Sequence, residues 1–126
     1  SGMGLAAARL LAAEGEALAL VDRDAAALAH VPDDLAGALR LPGDVGDEAA
    51  VEAQGRAVVE RYGRIDVLVA AAGFSTGTAV PDTSLDAWEA VLRTNLTGAF
   101  LWARAALGPM RRQGGGSIVL VGSQLA

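Results

Sequence analysis

Two bare glycines open a segment of high helix propensity, where Gly2-Met3-Gly4 runs into Leu5 to Glu14. Glycines at a helix start let backbone N–H groups approach a phosphate at the positive end of the helix. Alone, such a start is more often a plain turn. Asp22 changes that reading. It closes a short apolar strand, Leu18 to Val21, about 20 residues further on, where dinucleotide folds place the acid that binds ribose hydroxyls. The alternative for Asp22 is an ordinary strand-end turn aspartate, which is how Asp24 reads. A third feature is Leu68-Val69-Ala70-Ala71-Ala72-Gly73, an apolar run passing into residues small enough for something flat to lie on the backbone. In open α/β sheets, ligands bind at that carboxyl edge.

The elements that must position these groups alternate between strand and helix. After the first helix, which Gly15 ends as a C′ residue, come the strand to Val21 and a short helix from Ala25 to His30, stopped near Pro32. Ala38 to Leu41 reads as a strand before the turn Pro42-Gly43-Asp44-Val45. Asp47 is a good N-cap for a helix from Glu48 to Tyr62, with Val51, Val58, Val59 and Tyr62 as its apolar stripe and Gly63 as its end. Ile65 to Val69 has the apolar, β-branched character of a parallel strand buried on both faces. Gly73 to Asp82 is loop by composition. Thr83 or Ser84 then caps a helix carrying Leu85, Trp88, Val91, Leu92 and Leu96. Gly98 marks a kink before a helix from Phe100 to Met110, and Gly114-Gly115-Gly116 turns into the strand Ser117 to Val121. The alternation predicts an α/β fold with a doubly wound parallel sheet, residues 1–126 forming one incomplete dinucleotide-binding domain.

Composition narrows the partners. A chain of 126 residues that is 52% hydrophobic and only 4% aromatic must build its core from Ala, Val and Leu. The net charge of -5 argues against nucleic acid or an anionic membrane as the main partner. No cysteine is present, which excludes disulfides and thiolate metal sites and fits a reducing, cytoplasmic setting. No apolar run reaches the roughly 18 residues of a bilayer span. All ten basic residues are arginine. Both ends read as cut: Ser1 is not an initiator methionine, and Ala126 falls just after a strand. A P-loop is excluded within these residues, which lack Gly-Lys-Ser/Thr.

Ser1-Gly2-Met3-Gly4, Asp22, Asp44-Val45, Ala72-Gly73, Asn95 and Gly116-Ser117-Ile118-Val119 through Ser123 occur in the order and spacing of the short-chain dehydrogenase/reductases. The chain resembles the first half of such an enzyme without its first strand. A Rossmann-like fold and an NAD(P)-dependent oxidoreductase are what this resemblance implies. Gly2 and Gly4, with Met3 between them, match the last part of the family's Thr-Gly-x-x-x-Gly-x-Gly turn. Asp22 matches the acid on the adenosine ribose, which repels the 2′-phosphate of NADP, and Ser1 is not the basic residue of NADP-preferring members. Arg23 is the counter-argument, since a guanidinium pairs with that phosphate. NAD is favoured over NADP. Asp44 matches the acid at the adenine edge, with Val45 beside the ring, although Gly43-Asp44 is also a good turn. The family's Asn-Asn-Ala-Gly is Ala70-Ala71-Ala72-Gly73 here, so amides that tie the sheet are replaced by methyl groups, while Ala72 and Gly73 keep the flat floor.

Asn95 resembles the catalytic asparagine that holds a water in the proton relay and distorts the helix around it. Its low helix propensity suits that role, and the alternative is a helix-end cap. Ser123 matches the serine that hydrogen-bonds the substrate oxygen. Relatives add a tyrosine and, four residues later, a lysine. Here the single tyrosine is Tyr62, followed at that spacing by Asp66, so the pair is not within these residues and this piece alone is expected to be inactive. The resemblance further implies an alcohol or ketone as substrate and a dimer or tetramer. His30 reads as a surface residue, and no metal site is expected. The rival functional reading is a non-catalytic dinucleotide-binding or sensor protein, which needs Gly2, Gly4, Asp22 and Asp44 but neither Asn95 nor Ser123. A second rival is a partial product without activity or stable fold.

Overall fold

The computed structural model describes residues 2–123, so Ser1 of the glycine turn lies outside the described residues. Helix α1 spans Gly2–Ala13, strand β1 Ala19–Asp22, helix α2 Ala25–Ala29, strand β2 Leu39–Pro42 and helix α3 Glu48–Tyr62. Strand β3 (Val67–Ala70), helices α4 (Leu85–Leu92) and α5 (Gly98–Arg112) and strand β4 (Ser117–Leu120) follow. Between α4 and α5 the chain does not break. Residues Arg93–Thr97 form a π-helical turn in which the Gly98 N–H reaches back five residues to the Arg93 carbonyl. The expected kink at Gly98 is therefore a widened turn just before it, and α5 begins at the glycine itself.

The strands pair in parallel, as the alternation predicts. β1 runs with β2 in the register Ala19 to Leu39 through Asp22 to Pro42, and β3 runs with β4 from Val67–Ser117 to Ala70–Leu120. They form two separate ladders rather than one sheet, with no hydrogen bonds between β1 and β3 among the described residues. One helical layer lies under both. Ala19, Leu39, Leu41, Leu68 and Ile118 pack on a cluster of Val58, Ile65, Ala106 and Met110 from the α3–α5 side. Val21, Val45, Leu68 and Ala105 pack on Val51, Leu101 and Trp102. Arg40 points the other way, and its guanidinium donates to the Ala29 carbonyl at the end of α2, which puts α2 on the opposite face. Helices on both faces of parallel strands make the fold doubly wound and Rossmann-like.

Two sequence expectations need correction here. The strand after Gly63 begins at Val67, not Ile65, because Gln113 captures both backbone groups of Ile65. Its Oε1 accepts from the Ile65 N–H at 3.2 Å and its Nε2 donates to the Ile65 carbonyl at 2.6 Å. Nor is this strand buried on both faces: Val67 is 46% exposed, on the side away from α3 and α5. By contrast, α3 has the bounds that its signals predict. Asp47 accepts from the N–H groups of Ala49 and Ala50, and Gly63, at φ 78°, adopts the left-handed conformation that closes the last turn. Tyr62 serves packing as expected, its hydroxyl donating to the Leu18 carbonyl at 2.8 Å at the entry to β1. Among the described residues, no helix is long and apolar enough to cross a membrane, and no group of three or more His, Cys, Asp or Glu side chains could hold a metal ion.

Candidate functional site

The carboxyl ends of all four strands lie at one edge, and the residues singled out in the sequence meet there. At the end of β1, Asp22 Oδ1 accepts the Asp24 N–H at 3.0 Å, which turns the chain toward α2. Asp24 in turn caps α2 through the Ala27 N–H at 2.9 Å. Asp22 Oδ2 accepts no hydrogen bond among the described residues, so one oxygen of a half-buried carboxylate is open to a ligand. The next loop is tied to this one: the Gly43 N–H donates to the Asp22 carbonyl at 3.0 Å. There Asp44 Oδ1 takes the Gly46 N–H at 2.8 Å, an Asx turn that fixes the carboxylate.

Close approaches join the loops. A methyl on Gly46 would overlap the Arg93 side chain, and one on Gly98 would sit 2.6 Å from Val45 Cγ2. The Asp44–Gly46 loop is thus seated on the π-helical turn, and part of the Val45 surface is used in that contact. A Cβ on Gly73 would stand 3.3 Å from Asn95 Oδ1. Asn95, in the middle of the same turn, donates from Nδ2 to the Phe74 carbonyl at 2.9 Å and accepts the Phe74 N–H at Oδ1 at 3.0 Å. One amide therefore ties the turn to the loop after β3. Gly4, in the first turn of α1, faces Ala71, with 3.4 Å between its notional Cβ and the alanine methyl. Gly2 has φ 57°, a conformation that a side chain would strain. Met3 is exposed. The helix start and the small-residue floor Ala71-Ala72-Gly73 consequently face each other across the edge. Beside β3, the Val121 N–H donates to the Ala70 carbonyl at 3.0 Å, which carries the ladder to the doorstep of Ser123, an exposed residue two positions on.

This edge is open. The largest enclosed space on the surface lies elsewhere, a groove of about 480 Å³ between α3 and α5 lined by Glu52, Arg56, Ala105 and Arg112 among others. It gathers no backbone donors or free acids of the kind found at the strand ends, so we place the site at the edge. The signals for Asp22, Asp44, Asn95 and the glycine pair were in the sequence. Phe74, which joins Asn95 to Arg23, and Gln54, whose buried amide donates to the Pro42 carbonyl at 3.0 Å ahead of Asp44, were not foreseen. Gly98 was a usable clue, since a glycine inside a helix costs about 1 kcal/mol against alanine and implies a close neighbour.

The profile of the short chain dehydrogenase family matches residues 1–126, the whole chain. This chain belongs to that family. Among characterised short chain dehydrogenases, it is 38% identical to D-threitol dehydrogenase of Mycolicibacterium smegmatis over 130 residues, covering 100% of this chain and 50% of that enzyme. Its structure superimposes on a 3-ketoacyl-ACP reductase from Sinorhizobium meliloti with a TM-score of 0.91 and 32% identity, over 98% of this chain and 50% of the other. An alcohol dehydrogenase from the archaeon Thermococcus sibiricus, solved with 5-hydroxy-NADP, gives a TM-score of 0.85 at 31% identity, over 94% of this chain and 52% of that one. The chain spans about half the length of the relatives it matches. In a short chain dehydrogenase, the residues gathered at this edge are suited to NAD(P): a helix start with bare glycines, an acid with a free oxygen, and a floor without bulky side chains.

Proposed function

We propose that the chain supplies the cofactor half and part of the active site of an oxidoreductase that interconverts a small alcohol and its ketone with NAD. The observation that carries this reading is the convergence of the α1 start, Asp22, Asp44 and Ala71–Gly73 on the edge that Asn95 braces. When bound, the nicotinamide supplies a hydride acceptor or donor. The chain's own residues bind and orient. N–H groups at Gly2 to Gly4 would meet the pyrophosphate, Asp22 Oδ2 would accept from a ribose hydroxyl, and Asp44 with Val45 would meet the adenine. Ala72 and Gly73 would let the ring system lie flat. Ser123 would donate to or accept from the substrate oxygen beyond β4, and Asn95 would hold the proton path. Proton exchange would be completed by groups these 126 residues do not include, since Tyr62 is occupied by Leu18 and is followed by Asp66 at the relay spacing.

Self-association is part of the same reading. Leu85, Trp88, Leu92, Leu96 and Phe100 lie at successive turns of α4, the π-helical turn and α5, and all are exposed, Leu85 at 67% and Leu96 at 65%. Such a stripe supports a dimer or tetramer in which this helical pair is covered.

The test uses the full-length protein. NADH binding followed by nicotinamide fluorescence should be saturable and weakened at least tenfold by Asp22→Ala. Turnover on a panel of ketones should vanish in Ser123→Ala while NADH binding persists. Binding without turnover on any ketone or alcohol would replace the enzyme with a dinucleotide-binding protein, and absence of binding would end the cofactor reading.

A further inference from the structure

Arg23 follows Asp22 directly, yet its guanidinium does not lie beside that carboxylate. Its Cζ stands 5.7 Å from the centroid of the Phe74 ring, on the loop after β3. Among the described residues, no carboxylate pairs with Arg23 and no acceptor takes its N–H groups. The aromatic ring is its only specific partner there. Phe74 is in turn fixed at its backbone, with both polar groups of its peptide held by the Asn95 amide. The ring position is therefore set by the π-helical turn rather than by the loop's own sequence.

This arrangement divides the labour next to the adenosine ribose. A diol needs an acceptor, and Asp22 Oδ2 is free to be one. A 2′-phosphate needs a cation, and the nearest in sequence, Arg23, is engaged on the ring. Resting on the dinucleotide reading above, we propose that Phe74 is a specificity-determining residue: by holding Arg23, it makes recruitment of that guanidinium to a 2′-phosphate costly and so favours a dinucleotide with a free 2′-hydroxyl. The cost is that of an exposed cation–π contact, roughly a two- to fivefold penalty in affinity. It adds to the repulsion from Asp22, and no contact between Phe74 and the cofactor is required.

The test is a double-mutant cycle in the full-length protein, with dissociation constants for NADH and NADPH from fluorescence titration. Phe74→Leu should tighten NADPH roughly two- to fivefold and leave NADH within about twofold. Phe74→Tyr, which retains a ring, should keep the wild-type ratio. In an Arg23→Ala background, Phe74→Leu should gain nothing for NADPH. Phe74→Ile carries the same expectation if the leucine variant does not fold. An unchanged NADPH-to-NADH ratio in the aliphatic variants, or an equal gain without Arg23, would overturn the proposal while leaving the cofactor site intact. A folded wild-type protein that binds neither nucleotide would overturn the dinucleotide reading and this proposal with it.

Discussion

Asn95 and Phe74 form a closed pair: one side-chain amide donates to the Phe74 carbonyl at 2.9 Å and accepts its N–H at 3.0 Å. The asparagine thus satisfies a loop backbone as a neighbouring strand would. Asn95→Asp keeps the acceptor and loses the donor, and Asn95→Ala loses both. Urea unfolding should show losses of about 0.5–1.5 kcal/mol for each bond removed, alanine costing more than aspartate. Equal stability in all three proteins would mean that water replaces the amide without penalty.

Gly98→Ala sets two terms against each other. Replacing a helical glycine by alanine gains about 1 kcal/mol, whereas overpacking costs roughly 1–3 kcal/mol. The new methyl would meet Val45 Cγ2 at 2.6 Å and Cβ at 3.1 Å in a buried position, so the clash should win. The melting temperature should drop, and Val45→Ala in the same chain should restore most of it. No recovery in the double variant would locate the damage elsewhere.

Gln54 is 5% exposed, and its Nε2 is held between the Pro42 carbonyl at 3.0 Å and the Leu41 carbonyl at 3.4 Å. Gln54→Glu would place a buried carboxylate against two carbonyl oxygens, at a cost of about 2–4 kcal/mol. Burial and the carbonyls favour the neutral acid, so the folded pKa of that glutamic acid lies above its unfolded value. The destabilisation relative to wild type should be small below the unfolded value, grow as pH rises, and be complete above the folded value. Stability measured between pH 4 and pH 8 checks the sign, and a pH-independent difference would contradict the stated burial.

Tyr62→Phe removes only the hydroxyl that donates to Leu18. A loss of about 1 kcal/mol is expected. NADH affinity and turnover in the full-length protein should be unchanged, and a collapse of turnover with normal stability would make Tyr62 a catalytic group.

The helix α3 was readable because each of its signals is local: an aspartate cap, a 3.6-residue stripe and a terminal glycine. The parallel pairing was readable from alternation. Other features depend on contacts between distant residues. Nothing near Ile65 announces that Gln113, 48 positions later, would take its backbone groups and delay β3. Alternation also says nothing about which strand edges meet, so the division into two ladders was unforeseen. At the site, Asp22, Asp44 and Asn95 stood out by type and spacing. Phe74 did not, because its importance comes from a ring contact and a backbone clamp that no spacing encodes.

The π-helical turn at Arg93–Thr97 holds one more residue than an α-helical turn, and that residue sets the phase of all that follows. Removing Thr94 would let the segment relax to ordinary geometry and rotate α5 by about 100° relative to α4. Leu101, Trp102, Ala106 and Met110, all buried, would then leave the strands, and exposed Phe100 and Leu107 would turn with them. The extra residue is thus an angular spacer. It lets one continuous helical rod keep its buried side against the strands along α5 while Asn95 reaches the strand edge, and a one-residue deletion there should unfold the chain where a point substitution would only weaken it.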